Sequence, residues 1–168
     1  MNYDDSGDHA ALQAADLISA TGAAVEIVTP DRSFAPEVMA MNLVPYMRAL
    51  QDKEVTFTVT YRLTSVEKDG NQIKATVGSD YMPLAKTAHY DQVVVNHGTR
   101  PLDELYFDLK PLASNEGALE YMDLIVGKPQ NVVSNPEGRF QLFRIGDAVA
   151  SRNTHAAIYD ALRLVKDL

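Results

Sequence analysis

The stretch that most limits how this chain can fold is residues 139–168, which reads as a strand, a Gly-Asp pair and a helix. Apolar residues alternate with polar ones in a short β-rich run that ends at Gly146 and Asp147. After a polar connection, apolar residues recur at the spacing of a helix face. The helical set is Ala156, Ile158, Ala161, Leu162 and Val165. The stretch therefore predicts a parallel-sheet unit at the end of the chain.

The junction between this strand and helix has the chemistry of a nucleotide site. A glycine that closes a strand lets backbone approach a ligand, and the aspartate beside it can accept hydrogen bonds from sugar hydroxyls. The next helix offers unpaired N–H groups to an anion. We therefore predict that a nucleotide cofactor contacts Gly146, Asp147, Arg152, Thr154 and His155. The alternative is an ordinary turn in which the aspartate bonds its own backbone.

Charge and composition exclude several classes of partner. A formal charge of −8 leaves no basic excess for nucleic acid or an anionic membrane. The chain has no cysteine, so it cannot supply a disulfide, a catalytic thiol or the ligands of an iron–sulfur cluster. No His or carboxylate pattern predicts a metal site or a catalytic pair. The acidic N-terminus and the lack of a long apolar run predict a cytoplasmic protein with no membrane partner.

The first 29 residues read as a βαβ unit with a shortened first strand at residues 2–4. Asp8 is a plausible N-cap of the helix, and Gly22 closes it. A dinucleotide turn needs G-x-G-x-x-G, of which only the middle glycine, Gly7, is present. Asp5 and Asp8 place negative charge where a pyrophosphate would lie; two unit charges ~4 Å apart repel by ~4 kcal/mol at an effective dielectric near 20. We predict a Rossmann-like scaffold without strong dinucleotide binding.

The middle of the chain predicts an antiparallel meander inserted between parallel units. Residues 41–52 have the period of a helix, and residues 55–61 alternate as a strand. Residues 92–96 contain three valines in a row, which predicts a strand buried on both faces. Gly98 then marks the crossover out of this part, and the loop-rich residues 102–137 predict one short helix at 119–126. The meander strands are residues 63–67, 73–77 and 85–90, with a hairpin turn at 68–71.

Four motifs in order resemble one known family. They are residues 3–9 (YDDSGDH), 25–37 (VEIVTPDRSFAPE), 93–95 with 98–101 (VVV and GTRP), and 140–147 (FQLFRIGD). The chain resembles the trimethylamine dehydrogenase-like group of NADH:flavin oxidoreductases along essentially its whole length. This group includes dimethylamine and histamine dehydrogenases, dienoyl-CoA reductase and N-methylproline-type demethylases.

The resemblance implies an α/β fold of the disulfide-reductase type, Rossmann-like and FAD/NAD(P)-binding, with a parallel sheet and an inserted antiparallel meander. It implies that residues 1–96 form an NAD(P)H-type domain with a truncated first strand. Residues 97–168 would form the returning half of an FAD-type domain. By this likeness Gly146 and Asp147 match the second nucleotide contact, for FAD or ADP, and Gly7 and Gly98 are further cofactor-binding candidates.

The resemblance also implies what other parts of such proteins supply. Family members bind FMN and a 4Fe-4S cluster in an N-terminal TIM barrel, and no barrel pattern or cluster cysteine occurs in these 168 residues. We therefore expect the chain to be a C-terminal nucleotide-binding segment of a flavin-dependent oxidoreductase that acts on a small N-methylated amine. Its expected partners are a nucleotide, a TIM-barrel domain or a second copy of itself. The alternative is a non-catalytic Rossmann-like module with a structural or subunit-contact role.

Overall fold

A computed structural model describes residues 1–166, and these form two compact units, Met1–Gly98 and the segment from Thr99 onward. Within residues 1–166 no helix combines the length and the apolar character needed to cross a membrane. The assignment of residues 1–96 to an NAD(P)H-type domain and of 97–168 to an FAD-type half stays a prediction. The last two residues of that second range lie outside the described part of the chain.

The first unit is built on a parallel sheet of four short strands. They are β1 (Asn2–Asp4), β2 (Glu26–Val28), β3 (Thr56–Thr58) and β7 (Val94–Asn96), in the spatial order β3-β2-β1-β7. Asn2 of β1 lies opposite Ile27 on one side and Val94 on the other. The βαβ unit predicted at the start of the chain is present, with its first strand at the predicted residues.

Two helices cover one face of this parallel sheet: α1 (His9–Ser19) and α2 (Ala40–Asp52). Asp8 caps α1 as predicted, because its carboxylate accepts a hydrogen bond from Ala10 N at 2.8 Å. Small residues on α1, among them the fully buried Ala15, let the helix lie close to the strands. The buried core on this face consists of Leu12, Ala15, Val25, Ile27, Ala35, Val38, Leu50 and Val55.

The antiparallel meander consists of β4 (Tyr61–Asp69), β5 (Gln72–Ser79) and β6 (Ala85–Tyr90), in that spatial order. Gly70 and Asn71 form the two-residue hairpin loop, and Gly70 has φ +62°. Tyr3 and Val28 form a second core with Ala75 of β5. Successive side chains of a strand point to opposite faces of the sheet, and this core lies on the face away from α1. The predicted meander is therefore confirmed.

Two strand predictions in this unit were wrong: one in the extent of the strand and one in its burial. Residues 55–61 do not form one strand: β3 ends at Thr58, and Thr60 adopts φ +64° before β4 begins. One continuous strand cannot belong both to the parallel sheet and to the meander, so the chain bends between them. The run at 92–96 is not buried on both faces, because β7 is an edge strand of this sheet and Val95 is 47% exposed.

The second unit is formed by helices and extended chain. Its helices are α3 (Glu104–Leu109), a 3₁₀ turn (Lys110–Leu112), α4 (Tyr121–Val126), a 3₁₀ turn (Gly146–Ala148) and α5 (Thr154–Val165). Helix α4 falls within the predicted range, whereas α3 was not predicted. The adjacent acids at 103–104 are typical of a helix start and could have revealed it.

The strand predicted before Gly146 is absent among the described residues of this unit. Residues 140–145 form no strand, and no other strand lies in the described part after Gly98 to pair with them. A buried side chain takes the partner's place: Asn115 Oδ1 accepts from Leu142 N at 2.8 Å, and its Nδ2 donates to Leu142 O at 2.9 Å. This run of chain therefore has the β pattern without the ladder, because a ladder needs a second strand.

Candidate functional site

The carboxyl ends of β1 and β7 form the first place where a ligand site could be built. The connection from β1 leads to β2 on one side, and β7 pairs on the other side, so the winding of the sheet reverses between β1 and β7. In open α/β sheets ligand crevices lie at such a switch point. Gly7 follows β1 and Gly98 follows β7, so the structure brings these two predicted residues to the same edge.

Three backbone donors of the β1–α1 turn, those of Ser6, Gly7 and Ala10, are already engaged by side chains of the protein. Asp4 Oδ1 accepts from Ser6 N at 3.2 Å and from Gly7 N at 3.1 Å. Asp8 accepts from Ala10 N at 2.8 Å and from the Ser6 hydroxyl at 2.8 Å. A phosphate bound to this turn would have to replace an internal carboxylate, which agrees with the predicted lack of strong dinucleotide binding.

The two glycines of this edge serve local geometry. Gly7 has φ +69°, and a Cβ at this position would lie 2.6 Å from Cδ of Pro36, so the proline ring packs against the glycine. Gly98 has φ +79°, and a Cβ there would lie 3.2 Å from Ser6 Oγ. The Gly98 N–H donates to Asn96 Oδ1 at 3.2 Å. The cofactor contacts expected of Gly7 and Gly98 remain predictions.

The second predicted site lies in the other unit, where Gly146 opens a 3₁₀ turn just before α5. Gly146 is buried with φ +58°, and a Cβ would lie 3.2 Å from the Cβ of Ala157. Glycine is therefore required both by the left-handed conformation and by the close approach to the helix. Asp147 follows it with an exposed side chain. Gly146 thus begins a 3₁₀ turn in place of closing the predicted strand, and the exposed acid follows it.

The start of α5 brings the other predicted residues together. Asn153 caps the helix and accepts from Ala156 N at 2.9 Å. Thr154 and His155 occupy the first turn, and both are exposed. Since an N-cap side chain satisfies only one of the orphan donors of a helix start, other backbone N–H groups of the first turn remain available to an anion.

Asp160 is the residue of this region that the sequence analysis missed. Its Oδ2 accepts from Gly146 N at 3.1 Å and also from the guanidinium of Arg152. Arg152, predicted to face a phosphate, is therefore paired with α5. Asp160 shares the inward face of α5 with Ala157, Ala161 and Leu164, and this i, i+3, i+4 spacing could have pointed to it.

The charge of Asp160 is stabilised by these two donors. Partial burial opposes its ionisation, but the hydrogen bonds from Arg152 and from the Gly146 N–H outweigh burial and hold the pKa of Asp160 below its ordinary value. The carboxylate thus joins the Gly146 turn, Arg152 and the middle of α5 at neutral pH.

A cavity of about 440 Å³ adjoins this turn within the second unit. Its lining contains three arginines and one aspartate, so it is cationic within an acidic protein. Arg144 is paired with Asp103 at 2.6 Å and stacks 4.6 Å from the Tyr106 ring. The polar and aromatic lining residues are Tyr106, Tyr121, Phe143, Arg144, Arg152, Asp160 and Arg163. An apolar wall with a few converging cations suits an anion that carries a planar body.

The described residues of this second region present groups suited to ligand recognition. Within residues 1–166 no group of three or more His, Asp or Glu side chains is placed to hold a metal ion. The pieces present are an exposed carboxylate, a helix start and a set of arginines. They are the pieces that recognise sugar hydroxyls and phosphates.

Comparison with known proteins finds relatives with a common chemistry. No family model matches the chain. It is 70% identical over 166 residues to a probable N-methylproline demethylase from Rhizobium meliloti, an alignment that covers 99% of this chain and 24% of the relative. It is 38% identical over 169 residues to an N,N-dimethylglycine/sarcosine dehydrogenase from Chromohalobacter salexigens, with 98% and 24% covered. The chain thus spans about a quarter of the length of the curated relatives it matches.

Solved structures share the fold at low sequence identity. Histamine dehydrogenase from Rhizobium sp. 4-9 has a TM-score of 0.63 at 18% identity, over 96% of this chain and 22% of that chain. An HOCl-induced flavoprotein disulfide reductase from Escherichia coli has a TM-score of 0.57 at 15% identity, over 95% of this chain and 34% of that chain. The predicted α/β fold of the disulfide-reductase type, with a parallel sheet and an antiparallel meander, is confirmed.

Proposed function

We propose that the chain is a nucleotide-binding segment of a flavin-dependent oxidoreductase or demethylase. The curated relatives confirm its resemblance to the trimethylamine dehydrogenase-like group of NADH:flavin oxidoreductases. The substrate class we propose is a small N-methylated amine. The names of the two curated relatives support it, since both refer to N-methylated amino acids. The chain spans about a quarter of their length. We propose from the family resemblance that the segment corresponds to their C-terminal part.

The observation that carries the nucleotide role is the junction of the Gly146 turn with α5. Gly146 lies so close to the helix that a Cβ would be 3.2 Å from Ala157, and Asp147 is exposed beside it. We assign Asp147 to a ribose or ribityl hydroxyl, which a carboxylate recognises as an acceptor. The backbone of Thr154 and His155 would hold a phosphate at the helix start. FAD or ADP is the expected ligand.

Arg152 has a conditional role in this proposal. Its guanidinium lies near the helix start and is paired with Asp160. A guanidinium has five N–H donors, so Arg152 can keep its bond to Asp160 and donate to a phosphate as well. The arginines of the neighbouring cavity would attract the same anion.

The redox chemistry is assigned to other parts of the oxidoreductase. A flavin supplies hydride transfer when it is bound, and this chain would position a nucleotide near such a centre. We expect FMN and a 4Fe-4S cluster to be held by an associated TIM-barrel domain, because the 168 residues contain no cysteine to ligate a cluster. The purified chain should therefore be colourless and should not turn over an amine with a dye acceptor. A yellow chromophore that does so would contradict this assignment.

The test of the nucleotide site is a titration of the 168-residue chain with ADP, followed by backbone amide chemical shifts. We expect shifts at residues 146–155, and we expect Asp147→Ala to abolish them. Asp108→Ala is the matched control, since Asp108 is an exposed acid in α3 outside this region. One charged hydrogen bond contributes about 1.5–3 kcal/mol, so its loss should weaken a modest affinity beyond detection. Shifts around Gly7 in place of Gly146 would refute the site.

A second candidate function, a structural or subunit-contact module, is favoured by one observation. The second unit exposes many large apolar side chains, including one stripe along α5. The stripe consists of Ile158 at 62%, Leu162 at 59% and Val165 at 57% exposure. A helix that is apolar on its outer side as well as its inner side is expected to be covered. Sedimentation of the chain as a dimer without any ADP-dependent shift would favour this function over the first.

A further inference from the structure

The first unit contains a buried carboxylate that the proposed nucleotide role does not use. Asp4 is 3% exposed, at the end of β1. Its Oδ1 accepts three hydrogen bonds: from Ser6 N at 3.2 Å, from Gly7 N at 3.1 Å and from Asn96 Nδ2 at 3.0 Å. Two donors come from the following turn, and the third comes from the end of β7, 92 residues later. One oxygen atom therefore ties together two distant segments of the chain.

Asn96 also binds a second carboxylate. Its Nδ2 lies 3.0 Å from Asp8 Oδ1 as well as 3.0 Å from Asp4 Oδ1. Asp8 is the N-cap of α1 and accepts from the Ser6 hydroxyl at 2.8 Å. A single amide group is thus shared by two acids. We refer to Asp4, Asn96 and Asp8 as the Asp4 cluster; it joins β1, the start of α1 and the end of β7.

The two acids of this cluster differ in their surroundings. Burial raises the pKa of Asp4; the bonds from Gly7, Ser6 and Asn96 act against this, and the charge of Asp8 adds to it. For Asp8 burial also opposes ionisation, but bonds from Ala10, Ser6 and Asn96 outweigh it and lower the pKa. Acidification therefore protonates Asp4 before Asp8. The neutral Asp4 is a weaker acceptor for the turn amides.

Other charged groups near this edge are themselves paired or lie outside the cluster. Asp5 and His97, just beyond β1 and β7, pair with each other at 3.0 Å. Arg62 and Asp80 of the antiparallel sheet pair at 2.9 Å. His9 follows Asp8 at the start of α1, where its charge acts on Asp8. Glu37, whose backbone N–H donates to Gly7 O at 3.0 Å, is exposed. Among these groups, the negative charge of Asp8 raises the pKa of Asp4.

We infer that the Asp4 cluster is a proton-sensitive link that holds the β1–α1 turn closed against the end of β7. With Asp4 ionised, the amides of Ser6 and Gly7 and the side chain of Asn96 converge on one oxygen. When a solvent proton binds the Asp4 carboxylate, the charge that attracts these donors is lost and the turn loosens. The link lies at the switch point of the parallel sheet, in a different unit from the proposed nucleotide segment, so the two proposals fail separately.

The experiment is a pH titration of the whole chain from pH 7 to pH 3.5, observed by NMR. The reporters are the backbone amides of Ser6 and Gly7 and the side-chain amide of Asn96. We expect all three to shift with one midpoint, above the value of about 3.9 for an ordinary aspartate. After correction for the intrinsic pH dependence, exchange of the Gly7 amide should become about tenfold faster at low pH, as the loss of one hydrogen bond to a charged group predicts.

Asp4→Asn should remove this common titration, because it keeps the shape of the side chain without the ionisable group. Asp80→Asn, at an exposed acid paired with Arg62, should leave it intact. If the three reporters have different midpoints, or still titrate in Asp4→Asn, the inference is wrong. If Asp4→Asn fails to fold, the chemical shift of the Asp4 carboxyl carbon is titrated in the wild-type chain. Its midpoint should coincide with the midpoint of the three reporters. A mismatch between the two midpoints would overturn the inference.

Discussion

Replacing Asn115 by alanine should selectively loosen the run that leads to Gly146. Asn115 is 1% exposed. Its side chain accepts from Leu142 N at 2.8 Å and donates to Leu142 O and to Ala118 O, each at 2.9 Å. Each such bond contributes about 1 kcal/mol net, so Asn115→Ala should lower the local stability by about 2–4 kcal/mol. The extended run would lose the group that substitutes for a neighbouring strand.

Native-state hydrogen exchange at the Leu142 amide measures this effect directly. It is preferable to a single denaturation curve because a chain of two units need not unfold in one step. A loss of about 3 kcal/mol corresponds to exchange that is faster by about a hundredfold, since 1.4 kcal/mol is a factor of ten.

Asn131→Ala is the matched control for this change, because the exposed Asn131 donates to Pro129 O, two residues away, at 3.2 Å. It should leave the exchange of the Leu142 amide unchanged. If that amide exchanges within threefold of the wild-type rate in Asn115→Ala, the side chain does not act as the partner of the run and the reasoning fails.

Three further outcomes are expected. Gly7→Ala should destabilise the first unit by about 2–4 kcal/mol, because the new methyl group would meet Pro36 at 2.6 Å. Gly22→Ala, with nothing within 4 Å, should cost about 1 kcal/mol from its positive φ alone. Equal losses of stability in urea denaturation would disprove the contact with Pro36. Asp160 has a lowered pKa, so its hydrogen bonds stabilise the fold above the pKa of the unfolded chain, and this stabilisation is lost as the pH falls through the pKa of the folded chain. Carbon-detected titration should give a midpoint below about 3.9 that rises in Arg152→Ala. An unchanged midpoint in this variant would contradict the pairing. Calorimetry at neutral pH should detect weak or no NAD(H) or NADP(H) binding, because Asp4 and Asp8 occupy three donors of the turn. Micromolar affinity for either nucleotide would refute this.

Elements whose signals are local could be predicted from the sequence. The N-cap Asp8, the hairpin turn at Gly70 and helix α5 each depend on residues a few positions apart, and each is present in the structure. The apolar face predicted for α5 was wrong in part, because Ile158, Leu162 and Val165 are exposed and Leu164 is the buried residue. Gly146 and Asp147 lie in the turn before α5, and the structure adds that Gly146 has a positive φ and lies close to Ala157 of that helix. Local geometry and side-chain chemistry decide these features, so a short window of sequence contains the information.

What only the tertiary structure decided concerns partners that are distant in sequence. The pattern of residues 140–145 is that of a strand, but it pairs with the side chain of Asn115 because strand formation needs a neighbour. Val95 is exposed because β7 is at an edge, which three consecutive valines cannot reveal. The Ser6 and Gly7 amides of the Gly7 turn donate to Asp4 Oδ1, and the same oxygen also accepts from Asn96 Nδ2, 92 residues away. A sequence states which groups can bond, whereas the packing of the chain determines which of them meet.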